Sequence, residues 1–466
     1  MLKISNTLSR KKEVFKPQIE GKVSLFVCGP TVYDFSHVGH ARTYIAFDIV
    51  AKYLKAQGYD VFYLQNITDL DDKIIQRAKE SGLAPLQLST KFEEEYLKDM
   101  KALGVDSVTK YARATDHIPE TISQIERLME KGYAYEIQGD GIYYDIAKFT
   151  RYGKLSGRTS LLAEDAVSRI DESISKKNKG DFALWKFSNE GFAPTWDSPW
   201  GKGRPGWHIE DTAITEKYFG SQYDIHGGAQ DLVFPHHEAE ISQMEAISGK
   251  RPLASYWMHT GFLTVHGEKM SKSLGNFVTI QDFITTYSER ILRFFFLKTH
   301  YRSPMDYSDA LVKQAQAELE RIDEFVDRVK ESEGTASSAS LVSPYAEKFE
   351  EAMEDDFNTP KAMAAIFEFI RKVNPLLEKN QIGSEEKEEI LSFLRKVDEL
   401  FGFIFWRTQT KVQVIPQDIE DLVSQRESFR KEGRWDKADE VRKQLEKEGW
   451  ITEDTPQGPR VKPQRK

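Results

Sequence analysis

Hydrophobic and polar positions along the first seventy or so residues fall into a strand, a helix and a second strand. Val23 to Val27 is an apolar run with the length and β-branched content of a buried strand, and Gly29-Pro30 ends it. From His40 to about Gln57, Ile45, Ile49, Tyr53 and Leu54 share one helical face, and Gly58 marks the stop. Val61 to Leu64 reads as a second strand, so the unit is of the parallel type. Between about Arg113 and Trp200 the pattern changes: a helix over Pro119 to Lys131, then a hairpin from Tyr133 to Ile137 through Gly139-Asp140-Gly141 to Ile142–Asp145. The charged stretch Ser173 to Gly180 reads as an exposed loop. Beyond Gly206 the α/β pattern returns, with a helical run after Trp207–Asp211, a short strand with a glycine turn over Tyr223–Gly228, and a helix opened by Pro235. An apolar strand, Gly261 to Val265, leads to a turn at His266-Gly267. From Ile291 the spacing is helical, with segments over 307–331, 345–353, 360–374 and 385–401 and a start signal at Thr359-Pro360.

These breaks divide the chain into a first α/β half, 1–113; an insertion, 114–205; a second α/β half, 206–306; and a helical bundle, 307–406. Glu333 to Ser340, rich in Ser, Ala and Gly, is a flexible link inside the bundle, and 407–416 is a second linker. A small end module, 417–466, is expected to hold two short helices and a basic tail. The expected fold class is α/β: a Rossmann-like parallel sheet split by an insertion, with helices after it.

Composition changes this picture little. With 466 residues, 39% hydrophobic and 30% charged, the chain is an ordinary globular one. One cysteine excludes internal disulfides and an all-thiolate zinc cluster and fits a reducing compartment; with no signal peptide or span in view, a cytoplasmic protein and no membrane partner are expected. The net charge of −9 argues against a general nucleic-acid coat but leaves room for a local basic surface.

The chemistry gathers at predicted strand ends. Cys28 stands at the carboxyl end of the first strand, where open α/β sheets bind ligands, and His37 and His40 lie three apart on the opening turn of the next helix, facing any anion held there. A lone cysteine is also a common core residue, and the histidines could simply cap the helix. His236 and Glu240 are four apart and could grip one metal ion, although such pairs are also ordinary surface partners. Lys269-Met270-Ser271-Lys272-Ser273, on a Gly-flanked loop, suits a polyphosphate clamp; a solvated charged turn would read the same.

His37-Val38-Gly39-His40 followed more than 200 residues later by Lys269–Ser273 resembles the signature pair of class I aminoacyl-tRNA synthetases. Cys28–Asp34, Asn66–Lys73, Gly206–Glu210, His226-Gly227-Gly228 and Pro235–Glu238 resemble the blocks of the cysteinyl-tRNA synthetase family, and the likeness runs from Leu2 to Arg460. It implies a ligase that joins L-cysteine to tRNA(Cys) at the expense of ATP, with Mg²⁺ accompanying the nucleotide. It further implies one zinc ion held by Cys28, His236, Glu240 and Asp211, the last standing where the family pattern most often has cysteine. His37, Gly39 and His40 are then expected at ATP, Lys269 and Lys272 at the pyrophosphate, and Thr68, Trp207 and His208 around the amino acid. In the end module, Arg430, Trp435, Asp439 and Asp454 match positions that read or stack on anticodon bases. A monomer is expected. A ligase passing cysteine to an amino sugar resembles only the catalytic half, and a non-catalytic tRNA-binding relative would have no use for both the histidine and the lysine motif.

Overall fold

The computed structural model describes residues 1–158, 175–188, 191–270, 276–335, 341–406, 416–455 and 458–463. Five strands make the central sheet: β1 (Lys22–Val27), β2 (Asp60–Ile67), β3 (Lys110–Arg113), β4 (Tyr223–Ala229) and β5 (Ala254–Thr260). All pair in parallel, in the order β5-β4-β1-β2-β3. The chain runs outward from β1 through β2 to β3 and returns to place β4 on the other side of β1. This reversal leaves a crevice at the carboxyl ends of β1 and β4, the place where open parallel sheets hold ligands. The helix α1 (Val38–Ala56) follows β1, α2 (Ile209–Phe219) precedes β4, and α3 (His236–Ser248) connects β4 to β5.

The polypeptide between β3 and β4 builds its own antiparallel sheet from 134–137, 141–144, 182–187 and 203–205. Tyr144, Phe182, Leu184 and Trp185 are buried in a separate apolar cluster with Ile209 and Ala239. After β5 a small three-stranded sheet pairs Leu263–Val265 with Glu268–Lys269 and Met305–Tyr307. The long helices Asp309–Glu331, Ser343–Glu354, Thr359–Glu378 and Ser384–Phe401 follow, and their apolar faces share one core with α1. Among the described residues no helix is long and apolar enough to cross a membrane.

The chain separates into two compact units, Met1–Phe405 and Trp406–Lys466. The second has its own small core of Ile419, Val423, Val441, Leu445 and Trp450. Two helices, Gln417–Lys431 and Trp435–Lys447, are followed by an antiparallel hairpin, Trp450–Thr455 with Gly458–Pro463.

Several local expectations need correcting. Gly227 and Gly228 form no turn; both lie within β4. A Cβ on Gly227 would stand 2.4 Å from the ring of Phe47, and one on Gly228 would stand 2.7 Å from that of His237, so the glycines let α1 and α3 approach the strand. The apolar stretch after β5 is a strand only from Leu263; the Gly261 and Phe262 carbonyls just before it both accept from Arg42, and that of Phe262 also accepts from the N–H of Met305. Asn358, not Thr359, caps its helix, its side chain accepting from the N–H of Lys361. Of the expected basic tail, Gly458–Pro463 is the second strand of a hairpin, and residues 464–466 lie outside the described residues. The link over 333–340 and the linker over 407–416 lie mostly outside the described residues.

Candidate active site

The site is assembled from the sheet crevice outward. His37 caps α1 and its Nδ1 accepts from the N–H of Gly39, while Nδ1 of His40 accepts from the N–H of His37. The two rings stack, with centroids 3.8 Å apart. Because each Nδ1 accepts, the proton of each neutral ring sits on Nε2. Burial and the neighbouring His37 both push the His40 imidazole well below its ordinary pKa. The pair is thus both a helix cap and a set of neutral donors at the positive end of a helix. A Cβ on Gly39 would meet the His37 ring at 2.8 Å, so this stacked arrangement requires the glycine.

A cavity of about 340 Å³ opens at the crevice, lined among others by Cys28, Tyr33, His37, His40, Thr260 and Met270. Cys28, 6% exposed, is part of its wall. Beneath it, Cys28, Asp211 and His236 bring one donor atom each to within 4.8 Å of one another. The thiol lies 3.4 Å from Asp211 Oδ2 and 3.5 Å from His236 Nε2, and the latter two are 3.1 Å apart. Glu240 joins through His236, its Oε1 lying 3.3 Å from Nε2. Three chain segments thus converge: the end of β1, the first turn of α2 and the first two turns of α3.

The electrostatics of this group call for a cation. Burial, then Asp211 and Glu240, push the Cys28 thiol well above its ordinary pKa; burial, then Asp211 and Glu210, do the same to Glu240. Both carboxylate oxygens of Glu240 are buried without a hydrogen-bond partner. Such orphaned acceptors are costly, and a metal ion would satisfy them and favour the charged forms that burial disfavours. One sulfur, one imidazole nitrogen and two carboxylates suit a borderline transition-metal ion. A second buried set, His226, His237 and Glu240, lies alongside. There, His226 Nδ1 is 2.7 Å from the Tyr223 hydroxyl, and His237 Nδ1 is 2.8 Å from His259 Nε2.

The residues expected around the amino acid are elsewhere than on the cavity wall. Trp207 stacks on His236 with centroids 4.3 Å apart and planes 8° from parallel. The Nδ1 of His208 pairs with that of His236, and the Thr68 hydroxyl donates to Glu210. They touch the Cys28–Asp211–His236 group or its neighbours and are not among the residues lining that cavity. Lys269 ends a strand two residues long, and Lys272 lies outside the described residues. In the second unit Trp435 is 60% exposed and the Arg430 guanidinium sits 5.8 Å from its ring centre; Asp439 is exposed on the same helix as Trp435, and Asp454 lies on the hairpin. Asn66 and Arg42 had no assigned role from sequence. The only hint of them was a polar side chain at a strand end and a basic one on an apolar helix face.

The sequence matches the family described as tRNA synthetases class I (C) catalytic domain over residues 14–317, and a DALR domain over 348–405, within the helical bundle. A cysteine–tRNA ligase of Carboxydothermus hydrogenoformans is 46% identical, covering 99% of this chain and 100% of that one. One from Thermococcus gammatolerans is also 46% identical, covering 98% of each. Among solved structures, methionyl-tRNA synthetase of Mycobacterium tuberculosis with methionyl-adenylate aligns at 16% identity and a TM-score of 0.59, covering 83% of this chain and 88% of that one. That likeness establishes the fold. With full-length identity at this level and the class I catalytic model spanning the sheet and its crevice, the chain belongs to the cysteine–tRNA ligase family of class I tRNA synthetases.

Proposed function

We propose that the protein activates L-cysteine with ATP and transfers the cysteinyl group to tRNA(Cys). The observation that carries this reading is the buried Cys28–Asp211–His236 group lying directly under a cavity whose wall holds His37 and His40. In the first step the substrate carboxylate attacks the α-phosphorus, the bond to the bridging oxygen breaks, and pyrophosphate leaves with its electron pair. In the second, a hydroxyl of the terminal ribose attacks the acyl carbon, AMP departs, and the hydroxyl proton is released. Neither step needs a protein nucleophile, so the chain contributes positioning and charge stabilisation.

His37 and His40 present their Nε2–H groups to the ATP phosphates beside Gly39, at the α1 amino terminus, and Mg²⁺ accompanies the nucleotide. Lys269 and Lys272 neutralise the charge growing on pyrophosphate. Cys28, Asp211, His236 and Glu240 hold zinc, which when bound takes a substrate thiolate readily and a hydroxyl poorly, separating cysteine from serine without an editing site. Trp207 and His208 orient His236, and Thr68 orients Glu210. Arg430, Trp435, Asp439 and Asp454 read the anticodon. The enzyme works as a cytoplasmic monomer.

ATP–pyrophosphate exchange tests the reading. Exchange should depend on cysteine, fail with serine, be lost on chelation and return with zinc. Equal exchange with serine, or full zinc retention in a Cys28→Ala, His236→Ala double variant, would refute it.

A further inference from the structure

We propose that Asn66 is the positioning residue that dictates which oxygen Asp211 turns toward the metal. The inference rests on the zinc reading above. Asn66 stands next to last in β2, 1% exposed, where β1 and β2 end side by side. Its Nδ2 donates to Asp211 Oδ1 at 2.6 Å, and its Oδ1 accepts from the N–H of Gly29 at 2.5 Å. A further donation reaches the Thr68 hydroxyl at 3.3 Å. One amide therefore ties the residue after Cys28 to the residue facing it from α2.

The orientation of that amide is determined by its partners. Turned over, it would place an NH₂ against the Gly29 N–H and an oxygen against a carboxylate, losing both bonds to like groups. With Oδ1 of Asp211 held in this way, only Oδ2 remains for the group formed with Cys28 Sγ and His236 Nε2, at 3.4 and 3.1 Å. Asp211 is thereby restricted to one donor atom in a defined direction. The backbone leaves no slack in this arrangement: a Cβ on Gly29 would lie 1.7 Å from the Asn66 carbonyl oxygen. The requirement is particular to a carboxylate at position 211, because a thiolate has a single donor atom and leaves the amide no choice of oxygen to make.

Zinc affinity, measured by competition with a chelator, provides the test, with folding followed by circular dichroism. Asn66→Ala should weaken zinc binding about 10- to 100-fold, the range found when an outer partner of a metal ligand is removed. Asn66→Asp preserves size and the acceptor for Gly29 but sets an oxygen against Asp211, and should weaken binding at least as much. In an Asp211→Cys background, Asn66→Ala should cost less than about 3-fold, since the group it acts through is gone. Wild-type affinity in both Asn66 variants, or an equal loss in the two backgrounds, would overturn the proposal while leaving the zinc reading intact. If the unaltered protein bound no zinc, both would fall together.

Discussion

The Nδ1 atoms of His208 and His236 lie 2.8 Å apart, with both rings buried. One of the two nitrogens must donate and the other accept. Burial and the adjacent His236 push His208 well below its ordinary pKa, so it is neutral. If His236 donates from Nδ1, its Nε2 carries the lone pair directed at Asp211, Glu240 and Cys28, as a metal ligand requires. His208→Ala should therefore lower metal affinity about 10- to 100-fold and cysteine-dependent exchange with it. Chelator competition on the purified variant checks this, and an unchanged affinity would show that His208 only fills space.

Arg42 gives a second expectation. On α1, two residues past His40, its buried guanidinium donates to the carbonyls of Gly261 at 2.9 Å, Phe262 at 2.8 Å and Tyr301 at 3.4 Å, and to Ser303. Burial lowers its pKa to about 10, and it stays charged near neutrality. These carbonyls flank the strand that leads into Lys269. Arg42→Met takes the guanidinium donor from the Gly261 and Ser303 carbonyls, while those of Phe262 and Tyr301 keep a backbone N–H, and about 1–3 kcal/mol of stability should be lost. Exchange should slow even at temperatures where the variant is folded. Denaturant titration together with kcat for exchange reads both effects.

Acid stability has an identifiable contributor in the buried pair Asp48–Arg293. Arg293 Nη2 donates to Asp48 at 2.5 Å, while its Nη1 donates to the carbonyls of Leu103 and Gly104 and its Nε to that of Phe401. Burial alone would raise the Asp48 carboxyl; Arg293 and Lys52 outweigh it and hold the carboxyl below its ordinary pKa. A depressed carboxylate pKa stabilises the fold above the unfolded-state value of about 3.9, and that contribution disappears as the pH drops through the folded-state value. Asp48→Asn should thus be less stable near neutrality but lose less on acidification below about pH 4. Urea midpoints across that pH range decide it; parallel curves would remove Asp48 as the cause.

In the second unit Trp435 is exposed and the Arg430 guanidinium sits over its ring, an arrangement on which the proposed anticodon role rests. Trp435→Ala should weaken tRNA binding by about 1–3 kcal/mol, the usual worth of one stacked base, and leave ATP–pyrophosphate exchange unchanged. A chain ending at residue 406 should retain exchange and lose charging. Filter binding and charging assays test the pair, and normal charging by the shortened chain would reject the anticodon role.

Periodicity along the chain was enough for the strand–helix–strand opening, the helical second half and the i, i+4 placement of His236 and Glu240, because these depend on spacing within one element. Cys28 at the end of β1 was legible for the same reason. Glycine was not: its local signature is identical for a turn and for a strand pressed against a ring, and only the approach of Phe47 and His237 distinguishes them at Gly227 and Gly228. The terminal hairpin was missed because Trp450 to Pro463 is largely polar and shows no alternation.

What the sequence determined was the set of donors and the elements carrying them. Tertiary structure alone decided that Asp211, 183 positions from Cys28, presents one oxygen to it and the other to Asn66, and that Arg42 and Arg293 turn inward toward carbonyl groups instead of outward to water. A polar side chain is inexpensive to bury only when its partners are supplied, and here those partners come from segments that meet through folding.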